Sequence, residues 1–126
     1  MPRLLLAFAA ALLASSAAAA AAVAAPTAGV EPAFGNTIVS TYPDGRTSHL
    51  WLKPDGTYGY EGRRKTPSSG RWTIKGAKLC LKQTKPRSIP FSHCSPIHAG
   101  GVGTAWAGKA PTGEAIKLKL VQGVVR

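Results

Sequence analysis

The sequence predicts an all-β protein, an antiparallel meander of about eight short strands that forms a small barrel or a half-open curled sheet. The first observation is that Pro-Asp-Gly occurs twice, at residues 43–45 and 54–56, eleven residues apart. These three residue types suit successive positions of a hairpin turn, and the eight residues between the turns are a normal strand length. The second observation is that apolar and polar residues alternate along the remaining chain, with no amphipathic helix.

Residues 1–24 are predicted to be a secretory signal peptide. Arg3 is followed by an apolar run from Leu4 to Leu13 and then by a tract of small residues, which is the order found in such peptides. Ala22-Val23-Ala24 offers the small residues that a signal peptidase reads, so we expect the mature chain to begin at Ala25. The apolar core is shorter than the roughly 20 residues that span a bilayer. An uncleaved anchor stays open as an alternative, because the alanine tract could lengthen the core.

Cleavage would leave 102 residues, enough for one small domain. We expect residues 25–34 to be a flexible mature N-terminus and residues 35–126 to form a single β domain. Without Arg3 the chain has 15 Lys and Arg against 5 Asp and Glu, a net charge of +10. The predicted location is the periplasm or the outside of the cell, with no stable membrane span after cleavage.

The two cysteines, Cys80 and Cys94, are predicted to form a disulfide, because two cysteines in a small exported domain usually pair. A hairpin loop centred on Arg87 would place them directly opposite each other on antiparallel strands. The alternation puts the bridge on the lysine-bearing face, outside the core. A Cys-His metal site with His93 or His98 is the alternative. It lacks a Cys-x-x-Cys pair and regular histidine spacing, so we predict no metal and no cofactor.

Alternation also predicts which side chains fill the core. Trp72 and Ile74 lie on one side of their strand, opposite Thr73, and a turn is predicted before them at Pro67–Gly70. The same alternation along the other strands completes the set. The predicted core residues are Ile38, Leu50, Leu52, Tyr58, Tyr60, Trp72, Ile74, Leu79, Leu81, Ile116, Leu118 and Leu120.

Three short motifs carry a resemblance to a known group of proteins. They are Asp-Gly-Thr-Tyr at 55–58, Gly-Arg-Trp at 70–72 and Leu-Cys-Leu at 79–81, preceded by Gly-Asn-Thr at 35–37. Over residues 35–96 the chain resembles small exported proteobacterial proteins of unknown function that are described as lipocalin-like. The resemblance implies a lipocalin-like β fold and brings no known activity. A true lipocalin has its Gly-x-Trp on the first strand, whereas here it falls near the fourth.

The sequence does not indicate an enzyme. Asp44 and Asp55 are explained as turn residues, and no pair of acids has the pattern of a general acid and base. His49 alternates onto the face opposite Leu50 and Leu52, which is typical of a surface or packing residue. Ser92-His93 lacks the context of a nucleophile elbow.

Positive charge is the one unusual feature of the composition. A compact basic run lies in a loop, and further lysines alternate outward along the predicted strands, so we predict binding to an anionic envelope polymer or lipid. The alternative is that these lysines only solvate the outer face and discourage edge pairing. Nucleic acid is disfavoured, because the aromatic residues are assigned to the core rather than to stacking. The predicted anion-binding residues are Arg63, Arg64, Lys65, Lys75, Lys78, Lys82, Lys85, Arg87, Lys117 and Lys119.

Two function classes remain open. The first is a non-catalytic binding module of the cell envelope that takes anionic envelope components or a small ligand. The second is a protein-facing inhibitor or assembly accessory that presents the disulfide-braced loop 84–90. Binding through many lysines would fall steeply with salt, whereas a protein interface would depend on a few residues and weakly on salt.

Overall fold

The computed structural model describes residues 29–87, 92–98 and 100–126, which form one eight-stranded antiparallel sheet. The predicted all-β fold class is confirmed. The predicted signal peptide, its cleavage site and residues 25–28 lie outside the described residues. Among the described residues, one 3-10 turn, Glu31–Ala33, precedes the first strand. The strands are β1 Thr37–Thr41, β2 Thr47–Leu52, β3 Thr57–Glu61, β4 Pro67–Lys75, β5 Lys78–Lys85, β6 His93–Pro96, β7 Ala105–Lys109 and β8 Ala115–Val121.

The sheet curls into a nearly closed barrel with one gap. Its strand order is β6-β5-β4-β3-β2-β1-β8-β7. Strands β1 to β6 therefore pair consecutively, β7 pairs with β8, and the first strand also pairs with the last. Strands β6 and β7 end the order on the two sides and are not paired with each other in the described residues. We call the gap between β6 and β7 the seam.

The C-terminal residues are held against the start of β1, where β1 meets β8. The Oγ1 atom of the fully buried Thr37 donates a hydrogen bond to the carbonyl oxygen of Gly123 at 2.7 Å. The same atom accepts hydrogen bonds from the indole N–H of Trp51 at 3.0 Å and from the backbone N–H of Val125 at 2.9 Å. The side chain of Asn36 accepts the N–H of Gly123 at 2.9 Å. These contacts fix the C-terminal residues on the outer side of β1.

The base of the barrel is filled by the main hydrophobic cluster. Val30, just before the 3-10 turn, and Ala33, its last residue, are buried in it, and the centroid of the Phe34 ring lies 5.8 Å from that of Trp72. The predicted flexible segment 25–34 is therefore packed in its described part, since its apolar side chains close one end of the barrel. The cluster is completed by Leu52, Tyr58, Leu79 and Leu120.

The predicted core splits into two groups. Leu52, Tyr58, Trp72, Leu79, Ile116 and Leu120 are buried, as predicted. The other predicted residues are only half-buried, and all but Ile74 line an internal cavity that solvent reaches. The half-buried set is Ile38, Leu50, Tyr60, Ile74, Leu81 and Leu118.

The turn predicted at Pro67–Gly70 is not a turn, because these residues begin β4. The chain reverses earlier. The N–H of Lys65 bonds the carbonyl oxygen of Gly62 at 2.8 Å, and Lys65 takes a left-handed backbone conformation with φ of 61°. Pro67 is tolerated because a proline at the first position of a strand need not donate to the ladder.

Gly70 permits a close approach between β4 and β5 at an irregularity in their pairing. A Cβ atom there would overlap the carbonyl oxygen of Lys82 and would lie 2.9 Å from the Cα atom of Gln83. Because both atoms are backbone, Gly70→Ala should lower the free energy of unfolding by about 1–3 kcal/mol. Equilibrium urea denaturation measures the change.

The matched control for Gly70 is Gly101→Ala. A Cβ atom at position 101 meets no atom within 4 Å, and the backbone there is not left-handed. This variant should unfold at nearly the same urea concentration as the wild type. Equal stability of the two alanine variants would show that β4 and β5 do not approach as described.

The predicted disulfide is confirmed, because the structure joins Cys80 and Cys94. The predicted register is also confirmed, with Cys80 opposite Cys94 and Leu81 opposite His93. One detail differs, since Cys80 is 1% exposed although it alternates with outward lysines, and the bridge to the exposed Cys94 covers it. Residues 88–91 of the intervening loop lie outside the described residues.

Candidate functional site

The inner faces of the strands enclose a cavity of about 660 Å³. It lies above the hydrophobic base and reaches from β1 and β2 around to both strands that border the seam. A second, much smaller cavity of about 40 Å³ lies at the base beside the N-terminal segment. The large cavity exists because the inward side chains of a barrel of this size fill one end and not the other.

The cavity wall is mainly apolar. Inward side chains of neighbouring strands stand opposite one another in register, with Ile38 opposite Leu50 and Leu50 opposite Tyr60. On the far side, Trp106 of β7 stands opposite Leu118 of β8. All five side chains line the cavity. Such a wall binds the apolar part of a ligand by removing its surface from water.

A small set of polar side chains is grouped towards the end of the cavity away from the base. The hydroxyl groups of Tyr42 and Tyr60 are 3.4 Å apart, and either can be the donor. Ser68 lies directly opposite Tyr60 in the ladder, and Gln83 also lines the cavity. Among the described residues that line the cavity, none is Asp or Glu. The cavity therefore offers neutral hydrogen-bonding groups at this end, and His93, His98 and Lys109 line it on the side of the seam.

Tyr60 is kept neutral by its surroundings. Burial raises the pKa of Tyr60 to about 12, and the adjacent Tyr42 hydroxyl adds to the shift, whereas a hydrogen bond with Ser48 opposes it. The phenol is thus protonated at any physiological pH. Its hydroxyl can donate to or accept from a ligand without a change of charge.

Arg63 stands at the same end of the barrel and joins three turns. Its guanidinium donates two hydrogen bonds to the carboxylate of Glu114, at 2.8 and 3.1 Å, and lies 3.6 Å from Asp44. It also lies over the ring of Tyr42, 4.3 Å from the centroid. The hydrogen bond from Arg63, supported by the Thr112 hydroxyl, lowers the pKa of Glu114 below its ordinary value.

The contacts of Arg63 change the interpretation of the basic run Arg63-Arg64-Lys65, which was predicted to bind anions. Arg64 and Lys65 are exposed in the β3–β4 turn, but the charge of Arg63 is compensated by two acids. Arg63 therefore braces the end of the barrel, and a charge reversal there would disturb the turns as well as any anion site. Binding of anions by this loop stays a prediction that only Arg64 and Lys65 can test cleanly.

The other predicted anion-binding residues are spread over the outer surface. Lys75, Lys78, Lys82, Lys117 and Lys119 are exposed and alternate with inward apolar residues, and Lys85 and Arg87 are exposed at the end of β5. The structure pairs Lys75 with Lys78 directly across β4 and β5. It also pairs Lys82 with Arg71, which sequence reasoning did not select. The alternation of Arg71 with the inward Trp72 was the sequence signal that could have identified Arg71 as an outward cation.

His49, the histidine that the sequence placed opposite Leu50, lies on the outer face of β2. Its ring is stacked on that of Trp51, with centroids 6.1 Å apart, and its Nδ1 atom is 3.9 Å from Glu61. This cluster lies on the opposite side of the sheet from the cavity. In residues 29–87, 92–98 and 100–126 no group of three or more His, Cys, Asp or Glu side chains could hold a metal ion.

Comparisons with protein-family models, with curated proteins and with solved structures found no match to this chain. The resemblance to exported lipocalin-like proteins therefore stays a prediction. None of the helical segments in the described residues is long and apolar enough to cross a bilayer.

Proposed function

We propose that the protein is a non-catalytic binding protein that carries a small, mainly apolar molecule in the barrel cavity. The observation that supports this proposal most strongly is the cavity itself, whose volume of about 660 Å³ falls within the ~300–1,000 Å³ range of small-molecule sites. Its lining combines a mainly apolar wall with a smaller area of polar groups, which is the usual composition of such sites.

The ligand that fits this lining is an elongated molecule with one polar end. Its apolar part would lie against Leu50 and Leu118, and its polar end would exchange hydrogen bonds with Tyr42, Tyr60 and Ser68. The neutral Tyr60 hydroxyl supports binding rather than proton transfer, because a phenol with a pKa of about 12 is a poor acid and base near neutral pH.

Export to the periplasm or the cell exterior is part of the proposal. The support is the Cys80–Cys94 disulfide, since such bridges persist in oxidising compartments. The protein-facing alternative, with loop 84–90 as the contact surface, stays a prediction. Thr84 to Arg87 are exposed, and residues 88–90 lie outside the described residues.

Filling the cavity should abolish most of the binding. In the variant Ser40→Phe with Ser68→Phe, two inward serines that line the cavity become bulky. The affinity for the neutral fluorescent dye N-phenyl-1-naphthylamine should fall at least about tenfold, equal to about 1.4 kcal/mol, because the added rings occupy the apolar chamber. A fluorescence titration in lipid-free buffer measures the dissociation constant.

The matched control is Thr41→Phe with Thr73→Phe. Both threonines are exposed and lie on the outer faces of β1 and β4, the strands that carry the two serines. This control should bind the dye like the wild type, and both variants should keep the far-ultraviolet circular dichroism of a β protein. The proposal fails if the wild type shows no saturable binding, or if both variants lose it equally.

A further inference from the structure

The charged residues of the strands are divided unequally around the barrel. Strands β1, β2 and β3 contain no Lys or Arg, whereas β4 to β8 contain all of those that occur in strands. None of the five acids of the chain lies in β4 to β8, since four are in turns or the 3-10 turn and Glu61 is in β3. The strand cations are Arg71, Lys75, Lys78, Lys82, Lys85, Lys109, Lys117 and Lys119.

This division is not explained by solvation of an outer face. The outward Thr41 and Thr47 of β1 and β2 are exposed like the lysine positions and carry no charge, whereas Val39 is half-buried and Trp51 is covered in part by Arg126. Protection of sheet edges does not explain it either, because the two edge strands carry only one lysine, Lys109. The lysines are concentrated one strand further in, on β5 and β8.

The cations of β4 and β5 also stand directly opposite one another. Arg71 faces Lys82 and Lys75 faces Lys78, and like charges in such pairs destabilise a sheet. No acid lies on these strands, although the Asp55 carboxylate in the β2–β3 turn acts electrostatically on Arg71, so an anion from outside the chain would relieve the remaining repulsion. The arrangement fits a surface that is completed by an anionic partner.

Between the basic residues of β5 and β8 lies an exposed apolar strip along the seam. Its outward residues are Pro96 and the disulfide-bonded Cys94 on β6 and Ala105 and Ala107 on β7, all exposed, with Lys109 at the end of β7. Val102, one of the few exposed large hydrophobic residues among those described, lies in the loop that joins β6 to β7. We call the outer face of β5 to β8, together with Val102, the seam wall.

We propose that the seam wall docks on an anionic lipid bilayer, with the seam facing the lipid. Lysines on both flanks would contact acidic head groups, and the apolar strip and Val102 would lie against the interface. The proposed carrier function adds one consequence, namely that an apolar ligand would pass between bilayer and cavity through the seam. Docking itself does not depend on that function.

A bilayer fits this wall better than an acidic polymer does. A polymer would engage the cations alone, and it is best held by a groove in which charges converge. Here the two sets of lysines are separated by two strands whose outward residues are apolar except for Lys109 at the end of β7, on a convex barrel wall. An apolar centre with a basic surround is the pattern of interfacial membrane binding.

Flotation with lipid vesicles tests the docking in the absence of any ligand. The wild type should bind vesicles of 70% phosphatidylcholine and 30% phosphatidylglycerol at 0.1 M salt and should not bind pure phosphatidylcholine. Lys117→Gln with Lys119→Gln should lower the partition coefficient about 25-fold, at about fivefold per lysine. Lys78→Gln with Lys82→Gln, on the other flank, should have a similar effect.

The control with the same charge change is Lys53→Gln with Arg64→Gln, two exposed turn residues away from the seam wall. It should change the partition coefficient less than about threefold. A control as defective as the wall variants would assign binding to net charge or the basic loop and overturn the proposal. Loss on only one flank would also overturn it, since the seam would not face the lipid.

Val102→Ser separates lipid from polymer. It should weaken vesicle binding and leave retention on immobilised dextran sulfate unchanged. Equal binding to dextran sulfate and to vesicles, with no effect of Val102→Ser, would assign the wall to an acidic polymer. Failure of flotation would leave the dye titration unaffected, because that measurement contains no lipid, so the two proposals can fail separately.

Discussion

Replacing Trp72 with alanine should lower the free energy of unfolding by about 3–5 kcal/mol, the range for loss of a large buried aromatic side chain. Trp72 is 5% exposed and contacts both the barrel and its N-terminal closure. Its indole N–H donates to the carbonyl oxygen of Lys53 at 2.8 Å, and its ring lies beside that of Phe34. The free energy of unfolding of a small domain is roughly 5–15 kcal/mol in total, so this loss would leave the protein barely folded.

Two variants identify the source of the loss. Trp72→Phe keeps most of the apolar contact and removes one of two donors to the Lys53 carbonyl oxygen, which still accepts the N–H of Gly56 at 3.1 Å, so it should cost about 0.5–1.5 kcal/mol. Trp51→Ala removes an equal ring from the outer face, outside the main cluster, and should cost clearly less than Trp72→Ala. Urea denaturation followed by circular dichroism measures all three. Equal losses at positions 51 and 72 would contradict the assignment of Trp72 to the core.

Removing the disulfide, in the variant Cys80→Ala with Cys94→Ala, should lower the free energy of unfolding by about 3 kcal/mol. The bridge closes a short loop, with a sequence separation of 14 residues, and opening it returns chain entropy to the unfolded state. Strand β6 is short and pairs only with β5 in the described sheet, so it depends on this link. Affinity for the apolar dye should fall too, because β6 lines the cavity.

The reduced wild type is the control for the disulfide. It keeps both sulfur atoms and lacks only the crosslink, so it should reproduce most of the loss of the alanine variant. Urea denaturation with and without reductant, together with the dye titration, measures both effects. A reduced protein as stable as the oxidised one would show that β6 is held in place without the bridge.

Local patterns predicted the strands and the cysteine pairing well. Strand alternation has a period of two, and turn residues act over three or four positions, so both can be read from neighbours in sequence. The bridge between Cys80 and Cys94 followed from the symmetry of one hairpin about Arg87. The turn predicted at Pro67–Gly70 was wrong. Pro-Ser-Ser-Gly suits a turn, but it suits equally well the start of a strand whose glycine lets the backbone of the neighbouring strand approach closely.

The candidate site was predicted only in part. The outward lysines were found because each alternates with an apolar residue, yet sequence did not show that strand cations are confined to β4 through β8. Arg63 was grouped with Arg64 and Lys65 because the three are adjacent. Its actual partners, Glu114 and Asp44, lie 51 and 19 residues away and reach it only through the barrel.

The sequence by itself determined the all-β class, the hairpin order, the inward and outward faces and the disulfide, because these depend on neighbouring residues. Only the tertiary structure decided that β1 pairs with β8, that residues 30–34 close the base and that a seam is left between β6 and β7. Closure depends on the accumulated twist of eight strands. The cavity depends on the volume that inward side chains leave unfilled, a sum over the whole barrel that no local stretch contains.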